Sequence, residues 1–147
     1  MSYLDESEDT GTRAFTYIVG IGGALIGAAV VRFAFGYFDN SPSEELEKGF
    51  ALAAAEIRSQ APIQVDEITK LMGAVSVKNQ IIYSMRIEGD IPVGELEATR
   101  IAIQDLNQRN LCNDSDASKA LDAGGIMVHQ YTDNSGNQFK TTVSDCP

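Results

Sequence analysis

Gln80-Ile-Ile-Tyr-Ser-Met-Arg-Ile-Glu88 alternates, with Ile81, Tyr83, Met85 and Ile87 on one face. An apolar period of two is the signature of a strand with one buried side. Upstream, Ile68 to Val77 is rich in β-branched and apolar residues, and Lys78-Asn79 can serve as a tight turn between the two runs. The pair reads as an antiparallel hairpin. Before it, Ser41 is a good N-cap, with Pro42 at the first helical position and Glu44 three residues after the cap. Leu46, Phe50, Leu52 or Ala53, and Ile57 then recur at helical spacing. This predicts a helix to about Gln60, stopped by Pro62. Early Glu44, Glu45 and Glu47 suit the positive end of its dipole.

Downstream, Gly89 to Gly94 is a loop and Glu95 to Leu111 a helix with Leu96, Ile103 and Leu106 turned inward. Asn113-Asp-Ser-Asp116 is a cap cluster for a short helix through Leu121, closed by Gly124 or Gly125. Ile126 to Thr132 is a strand, Asp133 to Asn137 a turn, and Gln138 to Ser144 the last strand. The order α-β-β-α-α-β-β predicts an α+β fold, an antiparallel sheet packed with helices. This domain, residues 39–147, holds 17 acids and 9 bases.

The N-terminal third has a different character. Residues 1–13 form an acidic tail, with Asp5, Glu6, Glu8 and Asp9 against Arg13. Ala14 to Val31 carries 18 uncharged residues, and after Arg32 the run Phe33 to Phe38 is again apolar. A spanning helix needs roughly 20 such residues, so residues 14–38 read as a single transmembrane helix in the lipid bilayer, with Arg32 snorkelling at an interface. The acidic n-region and the lack of a good cleavage site favour a retained signal-anchor over a cleaved signal. Gly20, Gly23, Ala24, Gly27 and Ala28 repeat a small-x-x-x-small spacing, which lets a second helix approach closely. The stripe suits a homodimer or docking on a partner helix.

The chain has two cysteines, Cys112 and Cys146, and one histidine, His129. An even pair of cysteines beside a membrane anchor suggests a disulfide in an oxidising compartment. Such a loop would stabilise by about 3–4 kcal/mol in the chain-entropy model and would hold a chain end that otherwise frays. Arg13 against Arg32 and Lys48 votes weakly for a cytoplasmic domain. The cysteines outweigh that margin and place the domain in the periplasm, anchored in a bacterial inner membrane.

No chemistry stands out. The net charge of −10 argues against nucleic acid, since no surplus of Lys and Arg exists to replace counterions. Two cysteines and one histidine make no zinc site. Asp114 and Asp116 lack the third ligand and glycine of a calcium loop and read as helix caps. Asp133, Asn134 and Asn137 around Gly136 are explained by a turn. The glycines at 20, 22 and 23 lie in the apolar span and are no dinucleotide fingerprint. His129 sits mid-strand in the alternating set Met127, His129, Tyr131 and reads as a packing or surface residue rather than a base. No catalytic residue, cofactor or metal is expected. Tyr83, Met85, Met127, His129 and Tyr131 are the candidates for a binding face, and the same residues are candidates for the sheet's buried side.

An ordered set of signals over residues 45–147 resembles small bacterial envelope proteins. It comprises Pro62, Val65-Asp-Glu-Ile-Thr-Lys-Leu71, Tyr83, Cys112, Leu121 to Gly124, Tyr131, Asp133 with Gly136, and Cys146. The layout is similar to the β class of type II secretion pilotins, the AspS class. That resemblance implies a disulfide-bearing α+β sheet domain and the piloting of a secretin. Proteins of that class are lipoproteins, whereas here an apolar span stands in place of a lipidated Cys. His129 stands where an aromatic is expected. The function expected is a non-enzymatic, inner-membrane-anchored periplasmic protein that binds or helps assemble another envelope component. The alternatives are an accessory subunit held in a membrane complex by its helix, and a pilotin-like secretion factor.

Overall fold

Helix α1, Pro42–Gln60, forms where the apolar stripe predicts it. The computed structural model describes residues 42–147. The acidic tail 1–13, the expected membrane helix 14–38 and the Ser41 cap lie outside the described residues. Among the described residues no helix is long and apolar enough to cross a membrane. Leu46, Phe50, Ala53, Ala54 and Ile57 of α1 are buried. Of the alternatives at the third position of the stripe, Ala53 points inward and Leu52 is 50% exposed. One residue is about 100° around a helix, enough to leave the buried stripe.

After α1 the chain runs Ile63–Gln64 (β1), Thr69–Val77 (β2) and Gln80–Ile87 (β3). The β2–β3 hairpin turns at Lys78-Asn79, with Lys78 at φ 54°. β1 is two residues long, too short to carry a period, and pairs with β2 through Ile63↔Leu71 and Gln64↔Lys70. A bulge between Leu71 and Gly73 leaves Met72 as the extra residue. A short 3-10 turn, Val93–Glu95, leads into α2 (Leu96–Asn113), then α3 (Ser115–Asp122). The Asp114 carboxylate caps α3, accepting from the backbone N–H of Asp116 at 3.0 Å and of Ala117 at 2.9 Å. Gly124 closes α3 at φ 94°. At Gly125 a Cβ would lie 2.7 Å from the Ala120 carbonyl, so the start of β4 packs on α3 only without a side chain there. Ile126–Thr132 (β4) and Gln138–Val143 (β5) complete the fold.

Among the described residues the result is an α+β domain with one five-stranded sheet, in the order β1-β2-β3-β4-β5, and three helices. One part of the expectation is corrected: the sheet is mixed. The β2–β3 and β4–β5 hairpins are antiparallel, but β3 and β4 run parallel, with Gln80↔Ile126 and Arg86↔Thr132 at the ends of the ladder. A parallel neighbour needs a long crossover, which α2 and α3 supply by carrying the chain back to the end where β3 began. Buried residues of all three helices join those of the sheet in one core. It includes Phe50, Ile57, Leu71, Ile81, Ile103, Leu111 and Met127, all 0–1% exposed except Leu111 at 2%. Each such side chain contributes about 1.5–3 kcal/mol by leaving water.

Candidate functional site

Among the described residues the helices divide the sheet into a covered and an uncovered face, and the candidate residues fall on the covered one. Tyr83, Met85, Met127, His129 and Tyr131 are all 5% exposed or less. The ladder sets Tyr83 opposite His129 and Met85 opposite Tyr131. These residues therefore form core and no open groove, and the binding-face reading is corrected. The period-two pattern fixes which residues share a face, but whether that face meets helices or water depends on where the helices pack.

The rings form a row across three strands. Centroids lie 4.7 Å apart for Tyr83–His129, 6.3 Å for His129–Tyr131 and 4.9 Å for Tyr131–Phe139. Asn107 of α2 reaches the row: its side-chain amide donates to Tyr131 Oη at 3.2 Å and to Thr141 Oγ1 at 2.9 Å. Burial lowers the His129 pKa from 6.5 to about 4, so the ring is neutral at pH 7. Burial pushes Tyr131 up to about 12, against the Asn107 hydrogen bond that lowers it, and raises Tyr83 as well. His129 Nδ1, Tyr83 Oη and Thr69 Oγ1 have no hydrogen-bond partner among the described residues. His129 is thus a stacked, neutral packing residue.

Asp133, just past β4, organises the loops at one end of the sheet. Its Oδ1 accepts from the N–H of Ser135 at 3.0 Å and of Asn137 at 2.8 Å. Its Oδ2 accepts from the Ile91 N–H at 2.9 Å and the Asn137 amide at 3.0 Å. Burial alone would raise this carboxyl, but the donors together hold it below the ordinary value. A carboxylate so served is a structural clamp between the 89–91 loop and the β4–β5 turn. Among the described residues no group of three metal-ligating side chains is present.

Cys112 and Cys146 form a disulfide with Cα atoms 5.5 Å apart. It ties the end of α2 to the segment beyond β5. Gln104 reinforces the same seam: its side chain accepts from the Thr142 N–H at 2.8 Å and donates to the Thr142 carbonyl at 2.7 Å, closing part of the outer edge of β5. The helix-packing residues Gly20, Gly23, Ala24, Gly27 and Ala28 lie outside the described residues.

The uncovered face holds residues that sequence reasoning passed over. Lys70, Arg86, Thr132 and Gln138 lie in one cross-strand row, and Ser84, Gln130 and Lys140 in the next. A hollow of about 440 Å³ opens among Pro62, Lys70, Met72, Arg86, Glu88 and Asn134. A second, of about 240 Å³, lies against the β4–β5 pair, lined by Gln130, Thr132, Gln138 and Lys140 of this face and by the intervening Tyr131 and Phe139. Lys70 and Glu88 are paired at 2.6 Å. The signal available in the sequence was the polar half of each alternating run, which reads as ordinary solvent-facing residues until the strands are placed side by side.

No protein-family model and no curated protein matches the chain. Solved structures do. A protein of Pseudomonas aeruginosa assigned as secreted is 16% identical, with a TM-score of 0.56 over 73% of this chain and 96% of its own. The EpsS pilotin of the Vibrio vulnificus type 2 secretion system is 21% identical, with a TM-score of 0.54 over 70% of this chain and 91% of its own. The type II secretion pilotin AspS of Vibrio cholerae is 14% identical, with a TM-score of 0.51 over 70% of this chain and 92% of its own. The described domain shares the fold of these pilotins, as the order of motifs along the sequence implied.

Proposed function

We propose that this protein is a pilotin-like secretion factor, a non-catalytic envelope protein that binds a secretin subunit and assists its assembly. The observation that carries the reading is the likeness of the domain to two type II secretion pilotins over 70% of the chain. The disulfide supports an oxidising compartment. Residues 14–38 serve, in this reading, as the inner-membrane anchor in place of a lipidated Cys, with the domain in the periplasm. Deleting the protein should then deplete assembled secretin from the outer membrane, and the full chain, purified in mild detergent, should bring a secretin subunit with it. Unchanged secretin multimers in the deletion strain would sink the proposal. Labelling thiols on intact cells tests the placement: Cys112 and Cys146 should react only after reduction, without lysis.

A second reading rests on the small-residue stripe at 20, 23, 24, 27 and 28, through which the anchor pairs with a copy of itself or joins a membrane complex. Exchanging residues 14–38 for an unrelated span separates the two. Secretin assembly should survive the exchange under the pilotin reading and fail if the helix is the binding element.

A further inference from the structure

We propose that the uncovered face of the sheet docks an acidic, amphipathic peptide segment of a partner protein; the inference rests on the reading that this domain binds a protein. The chain has 21 acidic residues and a net charge of −10, yet none of them lies in β1–β5. The charged residues within the strands are Lys70, Arg86 and Lys140, all basic. Strands disfavour Glu and Lys to a similar, lesser degree than Asp, so propensity accounts for only part of why the charges that remain are cations. Alternation puts all three on the uncovered side, since their neighbours Leu71, Ile87, Phe139 and Thr141 point into the core.

The cations border the two hollows, and these adjoin: Arg86 of one pairs in the ladder with Thr132 of the other. Glu88 is the acid at this end of the face, and Lys70 engages it. Arg86 and Lys140 have no ion-pair partner among the described residues. Beside this basic strip lie apolar side chains, with Met72 44% and Val75 49% exposed and Ile82 half-buried. Cations flanking apolar side chains on a concave surface suit a segment that presents carboxylates and apolar groups together. The sheet edges are partly taken: β1 pairs at Lys70 and Leu71, Arg58 donates to the Ala74 carbonyl at 2.9 Å, and Gln104 closes Thr142. An occupant therefore lies across the face rather than adding a strand. A bilayer with anionic headgroups is the weaker candidate, because a plane would also meet Glu88 beside Lys70 and the domain carries 17 acids against 9 bases, whereas a peptide can engage Arg86 and Lys140 alone. Screening confines such attraction to about 8–10 Å at physiological salt.

The test uses the full chain in detergent and two fluorescein-labelled peptides, one alternating Glu and Leu and one alternating Lys and Leu. The acidic peptide should bind and the basic one should not, and salt should weaken binding. The double variant Arg86→Glu with Lys140→Glu should bind the acidic peptide at least roughly tenfold more weakly, since like charges then face the ligand. Lys119→Glu on α3 adds the same kind of charge elsewhere and should leave binding unchanged. Copurification of the secretin subunit should fall in the double variant. Equal binding of both peptides, or undiminished binding by the double variant, would overturn the inference. Lost peptide binding with undiminished secretin copurification would also overturn it, while leaving the pilotin reading intact. Reconstitution in phosphatidylglycerol rather than phosphatidylcholine nanodiscs should not change peptide affinity; competition by the anionic lipid would assign the face to the membrane instead.

Discussion

Asp133 and His129 lie four positions apart, both are buried, and the molecule serves them in opposite ways. Asp133 accepts from four donors, three of them on its own turn. His129 stacks on Tyr83, and its Nδ1 has no partner among the described residues. A turn can bend its own N–H groups onto a side chain, so a turn carboxylate is satisfied locally. A strand residue beneath a helix layer depends on whatever that layer presents. Asn107 presents an amide to Tyr131 and Thr141, and none of its hydrogen bonds reaches His129. The lesson is that local geometry secures the loop end of this sheet, while the aromatic row holds by packing and by keeping His129 uncharged.

Acid should break that contrast most strongly. The folded pKa of His129 is depressed to about 4 from 6.5, so between those values the unfolded chain binds more protons. Stability is fully present above pH 6.5, falls as pH drops toward 4 and levels off below it. The shift corresponds to roughly 3 kcal/mol. Chemical unfolding at pH 7, 5.5 and 4.5 measures it. A flat profile over that window would show that the ring protonates without cost. Asp133 is lowered too, so its contribution is present above the ordinary carboxylate range and disappears only at still lower pH.

Asp133→Ala tests the other side of the comparison. It strands the Ile91, Ser135 and Asn137 donors and should cost about 2–3 kcal/mol, with faster amide exchange at those residues. If exchange there stayed slow, the turn would hold without its carboxylate. Asn107→Ala should cost about 2 kcal/mol by leaving two buried hydroxyls unpaired beside a small cavity. It should also narrow the difference between the two regions, since the row would then have no helix-borne donor to Tyr131. The smallest effect is a gain. His129→Phe removes the unpartnered Nδ1 while keeping a ring between Tyr83 and Tyr131, and should stabilise by about 1 kcal/mol at pH 7 and abolish the loss between pH 6.5 and 4. Loss of stability at pH 7 would mean that the imidazole fits the stack better than a phenyl ring does.

Much of the architecture was legible along the chain. The apolar stripe from Leu46 to Ile57 marked α1, the Asn113–Asp116 cluster marked the α3 cap, and Lys78-Asn79 and Asp133 to Asn137 marked both hairpin turns. These are local signals, decided within a few residues. β1 escaped because two residues carry no period. Asn107 and Gln104 escaped because an amide on a helix looks solvent-facing until the strand beneath it is known. The basic strip escaped for a related reason: Lys70, Arg86 and Lys140 are up to 70 positions apart and become neighbours only through strand pairing.

Periodicity and turn chemistry act within one element, so the longer helices and strands, the turns, the residues that share each strand face and the cysteine pair follow from the chain alone. Only the tertiary structure decided that β3 and β4 run parallel, that helices cover the aromatic face, and that the opposite face gathers cations. Alternation is the same for parallel and antiparallel neighbours, and for a face turned to helices or to a partner. Those choices belong to the path of α2 and α3 across the sheet, which brings together residues that no local pattern connects.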